Sequence, residues 1–113
     1  MAHDIRAKLT NVSMSAQKVR LVCDLVRGKS AVEALAMLRF VPSGAAVHVN
    51  KVLGSAVANA EENFGVSRDN LYIQSIVADE APTRKWRKFG ARGRFKPILR
   101  RHSHITVVLH ERQ

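Results

Sequence analysis

Apolar and polar residues alternate at the start of the chain, over residues 5 to 10. Ile5, Ala7 and Leu9 fall on one side of an extended backbone, and polar residues stand between them. Successive side chains of a β-strand point to opposite faces of a sheet. The alternation therefore predicts a short strand with one buried face.

The period changes to that of a helix at Ser15. An apolar stripe recurs every three or four residues up to Val26 and includes the only cysteine, Cys23. This spacing predicts an amphipathic helix that Ser13 or Ser15 caps and Gly28 ends. A single thiol within an apolar run indicates a buried structural cysteine, and it argues against a disulfide scaffold or a zinc site.

A second helix is predicted over residues 31–40. Ser30 and Glu33 have the spacing of a capping box, in which each side chain accepts a hydrogen bond from a free backbone N–H at the helix start. The predicted helix ends before Pro42, since proline favours an extended residue ahead of it.

A third and longer helix is predicted between Ser43 and Gly65, ending near Phe64. Its inner side is rich in small residues ("GSAVANA"), which allows another element to approach closely. Its predicted outer side carries His48, Lys51, Ser55, Asn59 and Glu62.

Two further strands are predicted, one over residues 71–78 and one over residues 103–109. The first is rich in β-branched and aromatic residues, and the second alternates with Ser103, Ile105, Val107 and Leu109 on one face. Three helices covering one face of a three-stranded antiparallel sheet give an α+β fold. The chain length is that of a single domain, residues 1–113.

Residues 84–101, called the finger below, interrupt this pattern. They contain nine arginines and lysines and no acid, with Trp86 and Phe95 interleaved and glycines near the middle. A β-hairpin is the simplest connection between two antiparallel strands, and glycine supplies the positive φ that its tip needs. The predicted body is thus residues 1–83 and 102–113, with the finger as a long basic hairpin.

Two other readings of the finger are weaker. Trp86, Phe89 and Gly93 have helical spacing, as in a basic helix lying on a membrane. However, Gly90, Gly93 and Pro97 all disfavour a helix, and the apolar side would be narrow. A plain solvated loop is the remaining alternative, but loops longer than about 12 residues are usually functional or disordered.

Charge indicates the class of partner. The chain has 19 Lys and Arg against 9 Asp and Glu, a formal net charge of +10. Arginine forks bind phosphate, and aromatic rings stack on unpaired bases. The finger favours RNA over DNA because RNA offers splayed bases and irregular cavities, and no helix-turn-helix, zinc-finger or basic-zipper pattern is present.

Enzymatic readings find little support. His102, His104 and His110 share one predicted strand face, but no acids or thiols are placed to complete a metal site. Asp79 and Glu80 are neighbours on a strand and so point to opposite sides, which prevents them from acting as an acid–base pair. We therefore predict a protein that is not an enzyme and needs no cofactor or metal.

Three segments carry a resemblance to a known family. "SAQKVRLVCDLVRGKS", "KVLGSAVANAEEN" and "ILRRHSHITVVL" resemble, in this order, the large-subunit ribosomal protein family numbered twenty-second in the usual series. The resemblance implies a small α+β body at the outer surface of the large subunit and a β-hairpin that lines the peptide exit tunnel. It also implies early assembly onto large-subunit RNA.

Carried over by position, the resemblance assigns the tunnel-lining tip and the RNA contacts. The tip is Lys88, Phe89, Gly90, Ala91, Arg92, Gly93 and Arg94. The predicted RNA contacts of the finger are Arg84, Lys85, Trp86, Arg87, Lys88, Arg92, Arg94, Lys96, Arg100 and Arg101. Those of the body are Arg6, Lys8, Lys18, Arg20, Arg27, Lys29, His102 and His104.

The tip departs from the family pattern. Phe89, Gly90 and Ala91 replace a usual Pro-Arg-Ala run, and Phe95 replaces a small residue. The spacing between Pro82 and His104 nevertheless matches, so the expected difference concerns the shape of the tip.

The predicted partners are large-subunit ribosomal RNA, neighbouring large-subunit proteins and the nascent polypeptide, with no membrane and no homo-oligomer. The first ten residues lack the apolar run of a signal peptide, which predicts an intracellular protein. The resemblance implies a cytoplasmic ribosome as its location, and a bacterial and an organellar ribosome both fit. The alternative from charge alone is a free-standing nucleic-acid chaperone or a DNA-compacting protein.

Overall fold

A computed structural model describes residues 4–81, 84–89 and 95–112; for residues 84–89 and 95–100 it describes the backbone alone. The elements, in chain order, are β1 (Ile5–Val12), α1 (Ala16–Val26), α2 (Ala31–Leu38), α3 (Gly44–Phe64), a short 3-10 helix (Arg68–Asn70), β2 (Leu71–Glu80), β3 (Arg84–Phe89), β4 (Phe95–Arg100) and β5 (Ser103–Glu111). Three helices pack on one face of a three-stranded antiparallel sheet, and the predicted α+β class is confirmed.

The last strand of the chain lies in the middle of the sheet, whose order is β1-β5-β2. Both edge strands run antiparallel to β5, with Ala7 opposite Val107 on one side and Ile76 opposite Val107 on the other. α3 packs against β1 and β5, while α1 packs against β2. The sheet face without helices is called the open face below.

The helix boundaries follow from local chemistry. The Glu33 N–H donates to the Ser30 hydroxyl at 3.3 Å, which is one half of the predicted capping box, while the Glu33 carboxylate lies 3.9 Å from the Lys29 ammonium. Gly65 ends α3 with φ of 64°, a left-handed conformation that favours glycine. The predicted ends were off by a few residues, since α2 stops at Leu38 and the three sheet strands run two residues longer than predicted.

Ser15 occupies the predicted cap position of α1, but its side chain makes no capping hydrogen bond. The stripe of α1 is buried as predicted, and Cys23 is fully enclosed. This burial raises the pKa of the Cys23 thiol to about 11, because the thiolate would lose its hydration. The prediction of a buried structural cysteine is confirmed.

The finger leaves the body as two paired strands. β3 and β4 are antiparallel from Arg84 opposite Arg100 to Phe89 opposite Phe95. Six residues per strand span about 20 Å. Because the finger extends from the body, the radius of gyration is 17.2 Å, larger than the roughly 13 Å of a compact chain of this length. The predicted hairpin ladder is confirmed for these residues, while residues 90–94 of the tip lie outside those described.

Candidate nucleic-acid interface

The base of the finger adjoins the end of the β2–β5 pair of the body sheet. Glu80 of β2 stands opposite Ser103 of β5, and the Ala81 N–H donates to the His102 carbonyl at 3.0 Å. The ladder resumes with Arg84 opposite Arg100. The two-stranded finger therefore begins where the paired β2 and β5 of the body end, and it forms a second, separate sheet.

The finger ladder brings cations together across its strands. Arg84 stands opposite Arg100, and Lys88 stands opposite Lys96, so two of the six cross-strand pairs join like charges. Like charges directly opposite one another destabilise a sheet. A polyanion bound along the ladder would relieve this repulsion, which fits the RNA contacts predicted for these residues.

The open face of the body carries a second part of the predicted set. Arg6 and Lys8 lie on β1 and are exposed, and His104 lies on β5 and is half-buried. Lys8 stands opposite Thr106, which stands opposite Val77 of β2, so these residues form one row across the sheet. This row includes Thr106 and Val77, which the sequence did not single out.

Two predicted RNA contacts, Arg20 of α1 and Arg27 directly after this helix, also make hydrogen bonds within the body. The Arg20 Nε donates to the Ala78 carbonyl at 2.9 Å, and an Arg27 guanidinium nitrogen donates to the Ile76 carbonyl at 2.8 Å. Both carbonyls belong to β2, which is an edge strand of the sheet. The two arginines thus satisfy backbone groups that an edge strand leaves unpaired.

These two arginines differ in which guanidinium nitrogens remain available to bind a ligand. Arg27 also pairs through its second terminal nitrogen with Asp24, so both of its terminal nitrogens are engaged within the body. Arg20 is held through Nε, and no hydrogen bond to another described residue engages its terminal nitrogens. Arg20 is therefore the better candidate for a phosphate contact.

The other body contacts are dispersed. Lys18 is two residues from Arg20, about 160° around the helix, so the structure does not bring the two side chains together. The main chain at Lys29 pairs with Ile73 of β2, with its carbonyl 2.9 Å from the Ile73 nitrogen. Arg101 is exposed and lines a small polar pocket at the finger base with Glu80 and the start of α1.

Asn11 has a role that was not predicted from the sequence. Its backbone has φ of 55°, and its N–H donates to Nδ1 of His104 at 3.0 Å. The signal lay in the apolar phase of β1, which runs through Ile5, Ala7 and Leu9 and then moves to Val12. A shift of one residue indicates a β-bulge.

Among the described residues, no group of three or more His, Cys, Asp and Glu side chains is arranged to hold a metal ion. Within the same part of the chain, none of the helices has the combination of length and apolarity that crossing a membrane requires.

Comparison with known proteins identifies the family to which this chain belongs. The family described as "Ribosomal protein L22p/L17e" matches residues 7–110. The chain is 50% identical over 110 residues to "Large ribosomal subunit protein uL22" of Thermoanaerobacter pseudethanolicus, covering 97% of this chain and 99% of the relative. It is 49% identical over 108 residues to the protein of the same description from Pediococcus pentosaceus, covering 96% and 92%. The chain therefore belongs to the ribosomal protein L22p/L17e family.

Proposed function

We propose that this chain is a structural constituent of the large ribosomal subunit, that it binds large-subunit ribosomal RNA, and that its finger lines the polypeptide exit tunnel. The observation that carries the proposal is the basic two-stranded ladder from Arg84 to Arg100, which follows the β2–β5 pair of the body as a separate sheet. Membership of a ribosomal protein family supports the same assignment.

The energetics of the ladder favour RNA as its partner. Fixing a backbone residue costs about 1 to 2 kcal/mol, and an isolated two-stranded hairpin is marginal in water. The finger adds like-charge pairs at Arg84/Arg100 and Lys88/Lys96. RNA phosphates neutralise these charges and release counterions, so binding and ordering of the finger support each other.

The body contributes contacts of two kinds. Arg6 and Lys8 present charge on the open face, and Arg20 presents its guanidinium beside the edge of β2. These sites lie on different sides of the sheet. The body is therefore suited to contact several RNA segments, which is the property expected of a protein that aids assembly of the subunit.

The tip of the finger is the part that would line the exit tunnel. In this proposal residues 88–94 face the tunnel lumen and the nascent polypeptide, and the arms of the finger contact RNA. Neighbouring large-subunit proteins complete the surroundings of the body. The location is the ribosome in the cytoplasm.

RNA binding is tested by its dependence on salt. If about six of the nine finger cations meet phosphates, the log–log slope of affinity against salt is roughly −4 to −5. Replacing Arg84, Lys85, Arg87 and Lys88 by Ala should flatten the slope by about 3. A matched control removes four charges from the body at Arg39, Lys51, Arg68 and Arg112. An equal effect of both variants would mean that the finger is not the contact surface.

The tunnel role is tested by deleting residues 88–94. The deleted chain should still enter the large subunit, because all three body helices are retained. What should change is the response of ribosomes to nascent chains that stall and to drugs that lodge in the tunnel. Unchanged behaviour in both assays would refute the tunnel assignment.

Fractionation of a lysate separates this proposal from a free-standing nucleic-acid chaperone. We expect the chain to sediment with the large subunit in a sucrose gradient, also after a high-salt wash. Recovery as free protein or in a DNA-bound fraction would favour the alternative.

A further inference from the structure

A β-bulge in β1 places two residues opposite His104. Leu9 stands opposite Ile105 and Val12 opposite Ser103, so Thr10 and Asn11 together face one residue of β5. The bulge returns Val12 to the buried side of the sheet. It also takes the Asn11 N–H out of the regular ladder.

That N–H is satisfied by a side chain. Asn11 adopts φ of 55°, which asparagine tolerates better than most residues. In this conformation its N–H donates to Nδ1 of His104 at 3.0 Å. A backbone N–H can only donate, so Nδ1 must be the acceptor and must lack a proton.

This hydrogen bond determines the tautomer of the His104 imidazole. A neutral histidine with an unprotonated Nδ1 carries its proton on Nε2. Among the described residues Nε2 has no hydrogen-bond partner, and it is not among the buried unpaired atoms, so it is open to solvent. His104 therefore presents one directed N–H donor from the open face.

We propose that His104 binds an oxygen of the RNA backbone through Nε2–H as a neutral donor, and that Asn11 is the positioning residue that sets its tautomer. This inference rests on the proposed RNA-binding function and deepens it. The ligand is a phosphate oxygen or 2′-hydroxyl, the acceptors that RNA displays along its backbone. Lys8 and Thr106, which share the neighbouring row, flank the same site.

Acid should weaken this contact. Protonation puts a hydrogen on Nδ1, where it meets the Asn11 N–H, and the two donors repel. The charged and titratable groups around the ring are Asp79, opposite it on β2, Lys8 on β1 and His102 on β5.

The tautomer is measured by ¹H–¹⁵N correlation spectra of the imidazoles in the labelled full chain at neutral pH. We expect His104 to show the Nε2–H tautomer alone. His48 of α3, half-buried on the helix side, is the internal comparison. A protonated ring or the Nδ1–H tautomer at His104 would overturn the proposal.

Binding is measured with His104→Asn and a transcript of large-subunit ribosomal RNA. The amide oxygen of asparagine can replace Nδ1 as the acceptor for Asn11, but the outward donor is lost. We expect unchanged thermal stability and an affinity lower by about two- to tenfold, the effect of one hydrogen bond. The control His48→Asn should leave the affinity unchanged.

The outcomes separate the two proposals. If the wild-type chain does not bind the transcript, the proposed RNA-binding function fails. If it binds as expected and His104→Asn binds equally well, only the role of His104 fails. A neutral donor also predicts that the difference between wild type and His104→Asn shrinks as pH falls. A difference that grows would assign His104 a cationic role and refute the neutral one.

Discussion

Replacing Arg27 by methionine should destabilise the body without reducing the salt dependence of RNA binding. Methionine keeps an unbranched apolar stem, so the loss is confined to the guanidinium. The Ile76 carbonyl at the edge of β2 loses its donor, and Asp24 loses its ion-pair partner.

The magnitude follows from these two contacts. A hydrogen bond from a charged group contributes about 1.5 to 3 kcal/mol. The Arg27 side chain is 46% exposed, so water replaces part of this bond, and the exposed pair with Asp24 adds little. We therefore expect a loss of about 1 to 2 kcal/mol in the free energy of unfolding. This lowers the melting temperature by roughly 4 to 8 °C.

The assay pairs thermal unfolding with RNA titrations over a salt series. Arg39→Met removes an exposed charge on the helix side and should leave the melting temperature nearly unchanged. Arg20→Met should lower stability, because the Ala78 carbonyl loses its donor, and should also flatten the salt slope by about 0.7 to 0.9. If Arg27→Met melted like wild type, or flattened the slope as Arg20→Met does, the division of roles between the two arginines would be wrong.

Three further outcomes are expected. The Cys23 thiol is buried, and its pKa is raised to about 11. It should therefore react with a disulfide reagent at pH 8 only as fast as the chain unfolds. Immediate labelling of the native chain would contradict this burial. Hydrogen bonds from Arg68 hold the pKa of Glu61 below its usual value. At neutral pH the wild-type chain should therefore be more stable than Glu61→Gln, and this difference in the free energy of unfolding should disappear as pH falls through the depressed pKa of the folded state. A difference that persists at about pH 2 would argue against this role of the ion pair. Trypsin should cut the free chain within residues 84–101 while sparing Arg20 and Lys51, and RNA should protect the same sites; amide exchange at the finger tip as slow as at Val52 or Val107 would mean a rigid finger without RNA.

The sequence by itself determined the elements and the class of partner. The turn from Gly65, the capping serine at Ser30 and the apolar stripe of α1 are local signals, because each depends on residues within a few positions. The charge of the finger is likewise a property of composition. A hairpin between two antiparallel strands was then the simplest connection, and the ladder from Arg84 to Arg100 has that form.

Only the tertiary structure decided how the interface is built. Arg20 and Arg27 fall outside the apolar stripe that predicted the first helix, but this pattern did not show that they reach carbonyls 58 and 49 residues away. The alternation of the last strand placed His104 on a strand face, but not opposite Asn11, 93 residues earlier. The local pattern of a strand fixes which residues share a face and leaves open which strand becomes its neighbour. That choice is made when distant segments pack around one core, and here it sets which edge carbonyls need a donor and which imidazole nitrogen keeps its proton.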